Sequence, residues 1–280
     1  MTKSANYRDV DGIRFPDLEG ARTGVYRLSV VLPAFNEEEN VLEAIARVTD
    51  VTKRLCAEYE IIVVDDGSSD RTAELVQGAS RQDSHVRLVR HSRNKGYGEA
   101  LRSGFRAARL ELVFFTDADN QFDLDELEGF LPWIERVNVV AGYRIKRQDP
   151  FMRRLTARTW NQVVRALFCV PVHDIDCAFK LFRRSVFDEI DLDSVGAMVN
   201  TELMVKLQRS GAGVIEMGVH HFPRRAGQAR GANPRVIARA LFELATMYRR
   251  LHRAGVLEVP PIFSSPTAMN PATDDPAIPR

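Results

Sequence analysis

The 280-residue sequence has almost no net charge, three cysteines, two tryptophans and no long apolar run. Its 39 Lys and Arg against 38 Asp and Glu leave a formal charge of +1 at pH 7. That excludes a globally basic nucleic-acid binder and a disordered acidic chain. No stretch approaches the roughly 18–20 consecutive apolar residues of a membrane span. The first thirty residues carry scattered charge and no apolar h-region, so a secretory leader is not expected. Cys56, Cys169 and Cys177 are odd in number and lack metal-knuckle spacing. They read as reduced, buried thiols of a cytoplasmic protein. The common nucleotide fingerprints are missing too. No G-x-x-x-x-G-K-[ST] occurs, and the nearest approach to G-x-G-x-x-G is Gly96-Tyr-Gly98, far downstream of the first strand and with Leu101 in the third glycine's place. No G-x-S-x-G elbow is present, and His173, His220 and His221 lack zinc-ligand spacing. Nucleoside triphosphatase, dinucleotide dehydrogenase and serine hydrolase are thereby set aside.

What is present is an alternation of short apolar runs with helical periodicities. Strands are expected at 28–32, 60–64, 86–89, 112–116 and 137–141, each bounded by turn residues. Helices are expected between them, one from Glu37 to Val48, one from Arg71 capped by Asp70, and one opened by a capping box of Asp123 and Glu126. Beyond Gly142 a helix at 154–168, strands at 179–182 and 214–219, a helix at 201–210 and a final helix opened by Pro234 complete the pattern. Such alternation gives an α/β fold with a mostly parallel sheet. Ligands of such sheets bind beyond the carboxyl ends of the strands. Pro33–Glu37, Asp65–Ser69 and Asp117–Gln121 all fall at those ends, so three polar clusters converge on one edge.

The near-zero charge conceals segregation. Residues 111–128 hold seven acids and no base, 144–168 seven bases and one acid, and 222–253 eight arginines and one acid. Within the acidic block, Asp117-Ala118-Asp119 places two carboxylates at i and i+2 after a strand. If the loop curls, both face one hard cation, which takes oxygen ligands and binds through one or two carboxylates plus substrate phosphates. A solvated turn is the competing reading for that pair, as turn-and-cap chemistry is for Asp65-Asp66. Their joint appearance, in order and each after an apolar strand, is more specific than either alone.

Val31-Leu-Pro-Ala-Phe-Asn-Glu37, Val64-Asp-Asp-Gly-Ser-Ser-Asp70 and Asp117-Ala-Asp119 with Gln121 resemble the family 2 glycosyltransferases of GT-A fold, the branch of dolichyl-phosphate mannose synthase and other polyprenyl-phosphate glycosyltransferases in particular. The resemblance covers about 27–231 and continues in Gly142-Tyr-Arg144, Asp174 to Lys180, Glu202 and Arg224 to Gly227. It departs at Cys177-Ala178-Phe179 and at Gly227-Gln228-Ala229-Arg230, both on the acceptor side. It implies a Rossmann-like central sheet flanked by helices. It implies that Pro33, Ala34, Glu37, Asp65 and Asp66 contact the nucleotide, and that Asp117, Ala118, Asp119 and Gln121 hold the diphosphate with a divalent cation, Mg²⁺ or Mn²⁺. Arg144, Arg153 or Arg154, and Arg224 would meet donor and acceptor phosphates.

The expected reaction is an inverting displacement of a nucleoside diphosphate from a GDP- or UDP-linked sugar, GDP-mannose among the options, by a polyprenyl or dolichyl phosphate at a membrane surface. Metal and arginines would stabilise the leaving diphosphate. A phosphate acceptor is already anionic at pH 7 and needs no strong base. The alternative is a hydroxyl acceptor on a glycan, protein or small molecule, for which Asp174 and Glu202 are the candidate bases. A non-catalytic nucleotide-sugar-binding protein is a third reading. Residues 1–26 are expected to form an arm, 27–231 the catalytic domain, 232–257 an amphipathic helix and 258–280 a disordered tail. The stripes on the Trp160 and Ile237 helices read as core packing, membrane interface or a homo-oligomer contact. A cytoplasmic location, or a peripheral one on the inner face of the membrane, is consistent with each.

Overall fold

The computed structural model describes residues 24–145, 151–168, 170, 172–196, 198–224 and 234–253, the side chains of 151–158 and 234–241 excepted. Residues 28–34 and 59–65 are buried throughout, the pattern of strands covered on both faces. They lie within β1 (Tyr26–Ala34) and β2 (Cys56–Asp65), and β3 (Val86–Arg90), β4 (Leu112–Thr116), β5 (Val139–Ile145), β6 (Phe179–Arg183) and β7 (Val214–His220) complete one sheet in the order β3-β2-β1-β4-β6-β5-β7. β3, β2, β1 and β4 are mutually parallel, as are β5 and β7. β6 runs antiparallel to both β4 and β5. The mostly parallel sheet expected from the sequence is therefore a mixed one, because β6 reverses direction between two halves.

From β1 the chain winds outward through β2 to β3, then returns to place β4 on the other side of β1. The connections on either side of β1 diverge there, which opens a crevice at the carboxyl ends of β1 and β4. Helices α1 (Val41–Leu55), α2 (Thr72–Gln82) and α3 (Tyr97–Ala107) make the crossovers. On α1, Val41, Ala44, Ile45, Val48, Val51, Thr52 and Leu55 are buried, a spacing of three and four residues that turns one face inward.

The helix expected from Asp123 to Trp133 is broken. It consists of a 3₁₀ turn at Leu124–Glu126, one α turn (α4, Leu127–Phe130) and a second 3₁₀ segment at Leu131–Glu135 that contains Pro132. Proline lacks the N–H that a continuous helix requires. Asp123 accepts the backbone N–H of Asp125, so it makes a local turn rather than the expected capping box. Downstream lie α5 (Phe151–Phe168), α6 (Val186–Glu189), α7 (Met198–Arg209) and α8 (Pro234–Arg253). Phe168 of α5 meets Tyr248 of α8 with ring centroids 5.9 Å apart, and Leu244, Met247 and Leu251 of α8 are buried. Cys56 and Cys177 are buried and unpaired. Cys169, the expected arm up to residue 23 and the expected tail lie outside the described residues.

Candidate active site

The loops after β1 and β2 are sewn to each other. Asn36 takes a left-handed backbone (φ 53°), and its N–H donates to Ser68 Oγ at 2.9 Å while its side-chain oxygen accepts the N–H of Ser69 at 2.8 Å. Glu37 N–H donates to Thr72 Oγ1 at 2.8 Å, and Asp70 takes the N–H of Thr72 at 2.9 Å. This lattice explains why Asn36, Ser68, Asp70 and Thr72 are polar, and it fixes Pro33, Ala34 and Glu37 beside Asp65 and Asp66. Ala34 is in register with Asp65 across the sheet.

The two aspartates of that second loop do different work. Asp66 accepts from the Lys95 and Gly96 N–H groups, both at 2.8 Å, and lies 2.7 Å from His91 Nδ1. Both of its oxygens are engaged, and Asp66 holds the 91–96 segment. Asp65 is fully buried; its Oδ1 accepts Ser68 N–H at 3.0 Å. Its Oδ2 has no hydrogen-bond partner among the described residues, although the mostly exposed Arg90 guanidinium is 3.3 Å away. A buried acceptor left in that state is costly, and it suits an N–H donor brought by a ligand.

Asp117 and Asp119 follow β4 at the crevice, with buried Ala118 between them. Burial, together with the neighbouring Asp119 charge, pushes the Asp117 carboxyl up to about 7, against the opposing influence of the Tyr97 hydroxyl and Arg144. Asp119 is also raised by burial, with Arg224 pulling the other way. Tyr97 donates to Asp117 Oδ1 at 2.9 Å. Arg224 Nη1 lies 3.7 Å from Asp119 Oδ2, and Arg224 Nη2 bridges both oxygens of Glu37, one of which also accepts from Asn40 Nδ2 at 2.7 Å. Glu37, Asp117 and Asp119, when ionised, outnumber the Arg224 charge by two. Among the described residues no group of three His, Cys, Asp or Glu is disposed to hold a metal. Two hard carboxylates with surplus negative charge nevertheless fit a divalent cation that completes its shell with substrate oxygens.

Arg224 reaches this pair because the strand end is tied back. Gln121 and Phe222 exchange backbone and side-chain bonds: Phe222 N–H donates to Gln121 O at 2.7 Å, and Gln121 Nε2 donates to Phe222 O at 2.8 Å. Phe122 and His221 form an antiparallel bridge beside them. Gln121, expected as a metal ligand, thus has its amide nitrogen committed to carrying the 221–224 segment to the site.

On the far side, Arg144 makes a two-pronged bond to Asp174, at 2.6 and 2.7 Å. Burial works against the Arg144 charge, but the Asp174 bond prevails and its pKa stands above the usual value. Asp174 is therefore committed to orienting Arg144. Glu202, the other expected base, has no exposed surface; its Oε2 accepts the N–H groups of Asp193 and Ser194, and its Oε1 pairs with Lys206 and Arg250, each at 2.8 Å. A carboxylate sealed in that way meets no substrate, and the expectation of a base at Glu202 is corrected to a brace between α7, α8 and the 193–194 loop. Arg153 and Arg154 lie on α5, with side chains outside the described residues.

Two residues were missed. Tyr97 stands on no recognisable motif except the glycines beside it. Lys180, although inside the quoted Asp174–Lys180 run, had no assigned role. It is 1% exposed, in register with Phe115 and Ala141, and its ammonium donates to the carbonyl oxygens of Ile175, at 3.1 Å, and Cys177. Burial lowers its pKa. It fastens the turn that carries Asp174, and register partners so distant in sequence leave no local signal.

The family model of glycosyl transferase family 2 matches residues 29–191, more than half of the chain. An undecaprenyl-phosphate 4-deoxy-4-formamido-L-arabinose transferase from Pseudomonas fluorescens is 32% identical over 79% of this chain, which spans 64% of that relative's length. Mannosyl-3-phosphoglycerate synthase from Rubrobacter xylanophilus superposes with a TM-score of 0.64 at 21% identity, over 83% of this chain and 76% of that one. Glucosyl-3-phosphoglycerate synthase from Mycobacterium tuberculosis, solved with Mn²⁺ and UDP-glucose, superposes with a TM-score of 0.56 at 24% identity, over 87% and 83%. These matches correct the acceptor expected from the sequence. Both of these solved structures are synthases named for phosphoglycerate, and one form of the second carries glycerol 3-phosphate beside Mn²⁺ and UDP-glucose. Against the polyprenyl or dolichyl phosphate expected from the sequence, these structures back the hydroxyl-acceptor alternative better. No helix among the described residues is long and apolar enough to cross a membrane. The chain belongs to glycosyl transferase family 2, and its fold is of the GT-A type.

Proposed function

We propose that the enzyme transfers a sugar, with inversion, from a nucleoside-diphosphate sugar to a hydroxyl of a small, water-soluble, anionic acceptor, the new C–O bond forming as the nucleoside diphosphate departs and the hydroxyl proton passes to solvent water. The observation that carries this reading is the half-buried Asp117–Asp119 pair, poor in protein donors and surplus in negative charge among the described residues, at the crevice of the sheet. UDP-linked sugars are the first donors to test, because the related synthase is solved with UDP-glucose and Mn²⁺.

In this reading Asp65 accepts an N–H of the nucleotide base through Oδ2, which accepts no hydrogen bond among the described residues, and Ala34 and Pro33 form the floor against which the base lies. Asp117 and Asp119 hold the divalent cation, which when bound neutralises charge on the departing diphosphate. Arg224, tethered by Glu37, is positioned as a cationic partner for phosphate oxygens, since a guanidinium offers several N–H donors in fixed geometry. Arg144, aligned by Asp174, supplies a second cation near Asp117 and is suited to an acceptor's phosphate or carboxylate. Arg153 and Arg154 on α5 are further candidates for that acceptor. Residues 27–231 form the catalytic unit in this proposal, with 232–257 as an appended helix.

The test is release of nucleoside diphosphate from UDP-glucose or GDP-mannose with Mn²⁺ or Mg²⁺, in the presence of 3-phosphoglycerate or glycerol 3-phosphate. Acceptor-dependent release that stops in chelator is the expected result. Undiminished turnover in chelator would overturn the metal assignment, and no release with any phosphorylated hydroxyl acceptor would overturn the acceptor class.

A further inference from the structure

Tyr97 is gripped from two directions. On one side, the N–H groups of Lys95 and Gly96 donate to Asp66. On the other, the backbone of Ser194–Gly196 lies directly on Gly96 and Gly98. A Cβ at Gly96 would collide with Val195 O and one at Gly98 with Ser194 O, and Gly98 N–H donates to Val195 O at 2.9 Å. Gly96 also needs its positive φ of 101°. Only glycine meets both demands at that position. The 193–194 backbone is in turn held by Glu202, whose other oxygen is paired with Arg250 of α8. Everything about the segment is built to place one residue, and that residue ends on Asp117 Oδ1, 2.9 Å from the tyrosine oxygen.

We propose that Tyr97 is a positioning residue for the cation site: its hydroxyl occupies Oδ1 of Asp117 and fixes the rotation of that carboxylate, leaving the other oxygen as the one available to a divalent cation. This rests on the reading of Asp117 and Asp119 as cation ligands. A carboxylate on a loop rotates about its last bond, and an outer hydrogen bond removes that freedom before the ligand arrives. The arrangement also makes α8 a participant in the site, because the Arg250–Glu202 brace supports the backbone against which Gly96 and Gly98 are packed.

The experiment compares the full chain with its Tyr97→Phe variant, which keeps the ring and loses one hydroxyl. Mn²⁺ binding in the presence of UDP is read by the paramagnetic resonance signal of free Mn²⁺, UDP binding without metal by calorimetry, and folding by thermal melting. The expected result is Mn²⁺ binding weakened by about 10–100-fold, the usual cost of losing an outer-shell partner, with metal-free UDP binding unchanged. Mn²⁺ affinity equal to that of the parent overturns the proposal. So does a parallel loss of metal-free UDP binding or a collapsed melt, either of which would mark a merely structural tyrosine. If the parent itself binds no Mn²⁺ with UDP present, the functional reading fails first and this inference falls with it; if only the variant's affinity is undisturbed, the inference fails alone.

Discussion

Two aspartate pairs flank β1, one after β2 and one after β4, and their surroundings differ in the supply of donors. Asp66 receives two backbone N–H groups and a histidine, and Asp65 one N–H with a guanidinium nearby. Among the described residues, Asp117 receives a single hydroxyl, and Asp119 a single side-chain-directed N–H at 3.3 Å with Arg224 at 3.7 Å. Both pairs close an apolar strand, so the strand ending does not distinguish them. The loops do. The β2 loop turns back on the 91–96 segment, whose N–H groups point at it, whereas the β4 loop faces the crevice. Asp66 is satisfied by the protein and acts as scaffold; the Asp117–Asp119 pair holds like charges together under partial burial, which a cation relieves.

The widest test of that contrast is Asp119→Ala. Loss of a ligand from the under-supplied pair should lower turnover by about 10³-fold, or roughly 4 kcal/mol of transition-state stabilisation, without lowering the melting temperature of the metal-free protein. Retained activity would place the cation elsewhere. Glu202→Gln should show the opposite profile. Breaking one member of a buried ion cluster costs about 3 kcal/mol of stability, so the melting temperature should fall by several degrees while kcat, measured well below the transition, stays within a few-fold. A collapse of kcat in a stably folded variant would restore Glu202 as a base.

Asp66→Asn should behave like Glu202→Gln on a smaller scale. Hydrogen bonds to a charged group contribute about 1.5–3 kcal/mol, and circular-dichroism melts would register the loss. An unchanged melt would mean that Asp66 is not scaffold. The last test is of pH. The folded Asp117 carboxyl titrates near 7, above the ordinary 3.8. The folded metal-free protein therefore binds more protons than the unfolded chain, and its stability falls as pH rises from about 4 to 7. A cation needs the ionised carboxylate, so Mn²⁺ affinity should rise with pH up to about 7, by at most about tenfold per unit. The melting-temperature gain from Mn²⁺ should thus be larger at pH 8 than at pH 6, and equal gains would contradict the assignment.

Much of this site was legible in the sequence because its residues sit next to strands. Glu37, Asp65, Asp117 and Asp119 could be placed on one edge from the alternation of apolar runs alone, since the carboxyl ends of parallel strands share an edge. Arg224 was placed by resemblance, and its contact with Glu37 depends on the Phe122–His221 bridge, which no local pattern announces. In the sequence Gly96 and Gly98 stand out as a failed dinucleotide fingerprint and as part of a glycine-containing turn that opens a helix. Their reason is the backbone of residues nearly a hundred positions later, and sequence spacing does not record a close approach of that kind. For a hydroxyl acceptor, acids such as Glu202 and Asp174 in a suspected site invite the reading of a base. Whether an acid is free or spent depends on partners such as Arg250 and Arg144, which are brought in by the fold.

The sequence by itself determined the strands, the order of the helices between them, the family and the edge on which the chemistry stands, because apolar periodicity and short motifs are local properties. The tertiary structure alone decided the reversal of β6, the burial of Lys180 and Glu202, the engagement of Asp66 and the grip on Tyr97. Hydrogen-bond supply and desolvation are set by neighbours in space. Those neighbours separate an aspartate that builds a loop from one left ready for a cation.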